Sequence, residues 1–109
     1  MNKSPIAMVF GYSPKMRILD YFLDFPTGDF TKKEIIETLG MSKQTFYKYF
    51  DSLEDLGLVK VNRTIGKAKL FKIDPKNKMV KMLIDFERNM SLQIADREEL
   101  KIKHPVRTK

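Results

Sequence analysis

The side chains best suited to chemistry in this chain are hydrogen-bond donors gathered on one short helix: Lys43, Gln44, Tyr47 and Lys48. Their placement follows from the apolar residues between them. Phe46, Phe50, Leu53 and Leu56 recur at steps of four, three and three, the spacing of a buried helical face. With that face inside, the four donors fall on the outer surface of the first turns. Such groups form hydrogen bonds and ion pairs; they do not make or break covalent bonds. The sequence has no phosphate-cradling glycine loop and no nucleophile motif, so no catalytic residue is expected. It has no cysteine, and its one histidine, His104, stands in the tail, so neither a metal site nor a cofactor is expected.

The stretch from Thr31 to Gly57 must position these donors. Thr31 with Glu34 three residues on is a capping box, in which each side chain satisfies a backbone N–H at the start of a helix. Ile35, Ile36 and Leu39 then form an apolar stripe. Gly40 supplies the left-handed residue that ends a helix, Met41 plugs the corner from inside, and Ser42 caps the next helix. That second helix, residues 43–56, stops at Gly57. Two helices joined by a tight glycine-containing turn are the helix-turn-helix pattern. Donors on the first turns of its second helix match the hydrogen-bonding groups of base edges and phosphates.

The flanking sequence extends this unit in both directions. Ser4-Pro5 and Ser13-Pro14 each read as an N-cap followed by a first-turn proline. The first opens a short IAMVF helix ending at Gly11, whose apolar residues pack on the domain or on a second subunit. The second opens a helix carrying Met16, Ile18, Leu19, Phe22, Leu23 and Phe25, broken at Pro26-Thr27-Gly28. Asp29-Phe30-Thr31 is either one edge strand or the lead into the capping box. After Gly57 the period shortens to two. LVKVNRT places Leu58, Val59 and Val61 near the core with Lys60 and Arg63 outward, Ile65 to Ala68 turn, and KLFKID returns. No Asp or Glu occurs from Leu56 to Ile73, so Lys60, Arg63, Lys67, Lys69 and Lys72 make a basic hairpin over about residues 60–72.

Asp74-Pro75 and Asn77 end the hairpin and open a long helix. Met79, Val80, Leu83, Phe86, Met90 and Ile94 recur along it at helical spacing, to about Lys103, where His104-Pro105 stops it. A helix of ~25 residues spans close to ~40 Å, more than a small core can cover. Phe86, Met90 and Ile94 are therefore expected to be exposed in a single chain, a patch that soluble monomers avoid. At 109 residues, 42% hydrophobic and 32% charged, the chain has the size and composition of one globular domain. Its net charge of +7 and pI near 9.6 favour a polyanionic partner. No apolar run approaches the ~20 residues needed to span a bilayer, and IAMVF is too short for a secretory signal. A cytoplasmic protein with no membrane partner is expected.

The order helix, helix, turn, helix, basic hairpin, long helix resembles the winged helix-turn-helix transcription regulators of archaea and bacteria, of the arsenical-repressor-like and MarR-like kind. The likeness runs over roughly residues 4–95, through SPIAMVFGYSPKMRILDYFL, FTKKEIIETLGMSKQTFYKYFDSLEDLGLV and LFKIDPKNKMVKMLIDFE. Its most family-like string is Gly40-Met41-Ser42, Thr45-Phe46, then Leu53, Leu56, Gly57, Leu58 and Val59. SKQTFYKYF is also similar to the recognition helix of TetR-type repressors, but those continue into a large all-helical ligand domain, where this chain begins a basic hairpin. The recognition helix departs from metal-sensing members in having no Cys or His.

The resemblance implies a mostly α fold with a small β-hairpin (α+β), a winged helix-turn-helix over residues 1–78, a dimerisation helix over 79–103 and a flexible tail over 104–109. It implies a dimeric, sequence-specific regulator that binds double-stranded DNA. Lys43, Gln44, Tyr47 and Lys48 would read bases, while Ser42, Thr45, Lys60, Arg63, Lys67 and Lys69 would meet phosphates, Thr45 alternatively bracing the turn. Leu83, Phe86, Met90 and Ile94 would form the homodimer interface. The expectation names no operator and no small-molecule effector. The competing expectation is a winged-helix protein-interaction module, which calls for an apolar or acidic face where this one is basic and polar.

Overall fold

The computed structural model describes residues 5–103. The elements follow in the order α1 (Pro5–Phe10), α2 (Pro14–Asp24), α3 (Lys32–Leu39), α4 (Lys43–Asp55), β1 (Val59–Ile65), β2 (Ala68–Ile73) and α5 (Lys78–Lys103). This is the mostly α architecture with one hairpin that the sequence implies. The Ser4 cap, the His104-Pro105 stop and the 104–109 tail lie outside the described residues.

Local signals set the helix ends. Ser13 Oγ accepts from the Met16 amide at 3.2 Å, with Pro14 in the first turn of α2. Both arms of the α3 capping box are present: Thr31 N donates to Glu34 Oε1 at 2.8 Å, and Glu34 N to Thr31 Oγ1 at 3.1 Å. Gly40 takes φ 62° and ψ 34°, the left-handed conformation that side chains other than glycine adopt at a cost. Met41 is buried and donates its amide to Ile36 O, closing the corner from inside. Ser42 caps α4 through the Thr45 amide at 3.1 Å.

The far end of α4 corrects one assignment. Phe46, Phe50 and Leu53 are buried, but Leu56 is 59% exposed. The helix stops at Asp55, and Gly57 at φ 75° reverses the chain. Leu58 N then donates to Leu53 O at 3.0 Å and Gly57 N to Glu54 O at 2.9 Å, the paired bonds of a Schellman motif. The hydrophobic contact of that motif comes from Leu58, which is buried where the helical period would have put Leu56.

β1 and β2 pair antiparallel, with Ile65 opposite Ala68 across the two-residue turn Gly66-Lys67. Gly66 has φ 61° and Lys67 does not have a positive φ, so only the first central position does, as a type II′ turn requires. A bulge lies between Val61 and Arg63. Val61 is exposed rather than near the core, because only the root of β1, at Val59, lies against the body. The Asp29-Phe30-Thr31 segment shortens to a single bridge: Phe30 and Phe71 exchange both backbone bonds, at 2.9 and 2.7 Å, one residue before the capping box begins.

The core gathers Ile6 from α1, Ile18 and Phe22 from α2, Ile35 from α3, Phe46 and Phe50 from α4, Phe71 and Ile73 from β2, and Val80 from α5. Phe50 is its hub, stacked on Phe46 and edge-on to Phe71, each with centroids 5.0 Å away. Asn77 fixes the start of α5: its Oδ1 accepts from the Val80 amide at 3.1 Å and its Nδ2 donates to Gly57 O at 3.0 Å. α1 lies along α5, with Ile6 N donating to Glu87 Oε2 at 3.3 Å and Phe10 5.9 Å from Phe86. A third expectation is corrected here. Phe86 is half-buried under this cover, and Met90 and Ile94 are also only partly exposed. Among the described residues, the exposed large apolar side chains on these two helices are instead Met8, Val9, Phe10, Met79, Met82 and Leu92.

Candidate nucleic-acid interface

Four short stretches meet on one side of the molecule: the start of α3, the outer face of α4, and the two strands of the hairpin. On α4, Ser42, Lys43, Gln44, Tyr47 and Lys48 are all exposed. Ser42 Oγ donates to Thr45 Oγ1 at 2.9 Å while accepting the Thr45 amide, so Thr45, half-buried, braces the turn. Lys43 and Gln44 have no ion pair or side-chain hydrogen bond among the described residues. They are long donors held in place only at their Cα atoms, free to reorganise on a surface.

The basic hairpin divides into two electrostatic halves. At its base, Lys60 pairs with Asp74 at 3.5 Å. Arg63 forms a two-bonded ion pair with Asp29, Nε to Oδ2 at 2.7 Å and Nη2 to Oδ1 at 3.2 Å, and Asn62 adds a third bond at 2.9 Å. Arg63 first, then Asn62, holds the Asp29 carboxyl below the usual carboxylate range, and the same pair favours the charged guanidinium. A stretch of sequence without acids is thus partly neutralised by carboxylates on either side of it. Toward the tip, Lys67 and Lys69 are exposed and form no ion pair among the described residues.

One functional candidate was not visible in sequence. Lys32, in the first turn of α3, places its ammonium 5.1 Å from the Tyr47 ring, 5.1 Å from Phe50 and 5.3 Å from Phe71. The three rings come from the outer face of α4, the core and β2, so only the folded chain could bring them together. Thr31, Lys32, Glu54, Lys67, Ala68, Lys69 and Phe71 line an open cleft of about 360 Å³ between α3, α4 and the hairpin.

A second group of charges lies elsewhere. Asp20, Asp24 and Glu87 bring carboxylate oxygens within 4.8 Å of one another, on α2 and α5. Burial, and for Asp24 the neighbouring Asp20 charge, raises the Asp24 carboxyl; burial, then Asp20 and Asp24, raises Glu87 against the Ile6 amide bond that lowers it. Of the three, Glu87 joins α5 to α1 through the Ile6 amide, and the cluster has no part in the α4 face.

No protein-family model matches the chain, and no curated protein matches it in sequence. Solved structures do. The chain is similar to the homodimeric winged helix-turn-helix DNA-binding domain Mb0332 of Mycobacterium bovis, a possible ArsR-family transcriptional regulator, with 21% identity and a TM-score of 0.53 over 92% of this chain and 82% of that one. It is similar to a mutant form of ZitR of Lactococcus lactis, with 18% identity and a TM-score of 0.58 over 80% of this chain and 60% of that one. A possible transcriptional regulator from Methanosarcina mazei Go1 matches with 13% identity and a TM-score of 0.54, over 91% and 83% of the two chains. The fold is a winged helix-turn-helix: α3 and α4 are its two helices, α4 stands where the recognition helix does, and β1–β2 is the wing. No described helix is long and apolar enough to cross a membrane.

Proposed function

We propose that this chain is a sequence-specific, dimeric regulator of transcription that binds double-stranded DNA. The observation that carries the proposal is the exposed donor face of Lys43, Gln44, Tyr47 and Lys48, presented on the first two turns of α4 beside a wing whose tip lysines form no ion pair among the described residues. A helix of this diameter fits a major groove, and its N-terminal residues reach the base edges there. Ser42, Lys67 and Lys69 meet phosphates. Thr45 acts through the cap it braces, and Lys60 and Arg63 reach DNA only in competition with Asp74 and Asp29.

The second subunit is a copy of this chain, joined through α5 and α1. Leu83, Phe86, Met90 and Ile94 run down α5, and Met82 lies one turn before Phe86 on the same face, 69% exposed. Met8, Val9 and Phe10 of α1 extend that surface. A two-fold axis buries it in a self-complementary contact. The similar Mb0332 domain is described as homodimeric.

The test is binding to duplex DNA across a salt series. With ~3–5 phosphates neutralised per subunit, log K against log salt should have a slope of roughly −5 to −9 for the dimer. A flat response between about 50 and 200 mM salt, the range over which such contacts are lost, would remove the DNA reading.

A further inference from the structure

Two features set the α3–α4–wing cleft apart from the rest of the basic surface. Its cation is held by three rings at once: Lys32 Nζ lies 5.1–5.3 Å from three ring centroids, where Lys48 and Lys15 each lie over the single ring of Tyr49, and ring faces attract an ammonium without neutralising it. Lys32 has no carboxylate partner among the described residues, unlike Lys60 and Arg63. The cleft also stands between the two parts of the fold that enter grooves. In duplex DNA the major groove and the neighbouring minor groove are separated by one sugar-phosphate strand. A protein with α4 in the first and a wing tip in or beside the second must therefore accommodate that strand between them.

We propose that this cleft is the track of that strand, and that Lys32 is its phosphate-binding residue, with Lys67 and Lys69 on the opposite wall and Glu54 as an opposing charge that limits affinity. The assignment rests on the DNA-binding reading. The Tyr47 ring positions the Lys32 ammonium, so Tyr47 serves both the groove and the strand beside it. Lys32 belongs to the first helix of the helix-turn-helix and takes the place, at the centre of the interface, of the wing charges engaged by Asp29 and Asp74.

The experiment is a salt series on the full chain with duplex DNA, comparing wild type with Lys32→Met, Lys32→Arg, Glu54→Gln and, as a charge-matched control outside the helix-turn-helix and wing, Lys81→Met. Methionine keeps an unbranched stem over the rings, so thermal melting should match wild type. Lys32→Met should weaken binding about 5–10-fold per site at ~0.1 M salt and flatten the slope by about 0.9 per subunit. Lys32→Arg should keep the wild-type slope, and Lys81→Met should leave it unchanged. Glu54→Gln should tighten binding about twofold, the effect of removing one like charge several ångströms from a hydrated phosphate. If wild type binds with a steep slope and Lys32→Met runs parallel to it, the assignment of Lys32 is overturned. If Glu54→Gln leaves affinity unchanged, the strand does not pass through the cleft. A wild type that fails to bind duplex DNA overturns the function itself, and the track with it.

Discussion

The side chains on the outer face of α4 differ in how firmly the protein holds them, and that difference separates their roles. Gln44 is exposed with no partner among the described residues, so it is available to a base edge. Tyr47 has its ring engaged with Phe46, centroids 5.7 Å apart, and with the Lys32 ammonium, which leaves its hydroxyl as the separable group. Gln44→Ala and Tyr47→Phe should each lower discrimination between operator and random DNA by about 1–3 kcal/mol while changing random-sequence affinity little. Equal losses on both DNAs, measured by competition binding, would assign that residue to the backbone instead. The Asp29–Arg63 pair makes a different prediction. An acid with a lowered folded pKa stabilises fully above its ordinary value, ~3.9, and the contribution is lost as pH falls through the lower folded value. Wild type should therefore lose melting temperature more steeply than Asp29→Asn as pH falls below ~4, and the two should converge in acid. Parallel curves would show that the pair adds no stability.

At the scale of the element, the junction between α4 and α5 has the most consequence. Gly57 reverses the chain after the recognition helix, and Asn77 joins that reversal to the start of α5 through Gly57 O and the Val80 amide. The wing lies between these two points in sequence, so one asparagine side chain closes the loop from which it projects. Asn77→Ala removes a helix cap and leaves the Gly57 carbonyl without that donor. The cost should be about 1–2 kcal/mol, or roughly 5–10 °C in melting temperature for a domain of this size. Asn77→Asp should recover most of the cap but not the bond to Gly57 O, and so fall between the two. Identical melting of all three proteins would show that α5 starts independently of the turn.

The whole molecule presents a basic, polar side, the proposed DNA face, and, on α1 and α5, an apolar one. α5 runs for 26 residues, and the exposed Met8, Val9, Phe10 and Met82 lie on or beside its packing with α1. Pairing with a second copy should set two α4 helices to read half-sites about one turn apart, ~34–36 Å, on an approximately palindromic operator. The half-buried Phe86 also supports its own chain through Phe10, so Phe86→Glu with Met90→Glu tests the fold as well as the interface. Met8→Glu with Met82→Glu changes only exposed residues and isolates the interface. By light scattering that double variant should be a folded monomer with much weaker operator binding. A variant that remains dimeric would move the interface off this surface.

The sequence by itself determined the parts whose causes are local. The Thr31–Glu34 capping box, the glycine at position 40, the Ser42 cap and the Phe46–Phe50–Leu53 stripe each need only neighbours within a turn, and each stands in the structure as its spacing implies. The hairpin and its glycine turn were legible for the same reason. The failures lay at the ends of periodic runs. Leu56 continues the helical spacing, but the Gly57 reversal hands its place to Leu58; Val61 continues the strand alternation, but the hairpin has already left the body. The tertiary structure alone decided the electrostatics of the interface. Asp29 is 34 residues from Arg63, and Lys32 lies 15, 18 and 39 residues from the three rings around it. Charge acts through space, so a count along the chain gives the sum of the basic residues but not which of them remain unpaired. α1 shows the same with packing: its six residues cover Phe86 only because α5 returns past them, a contact between the two ends of the described chain.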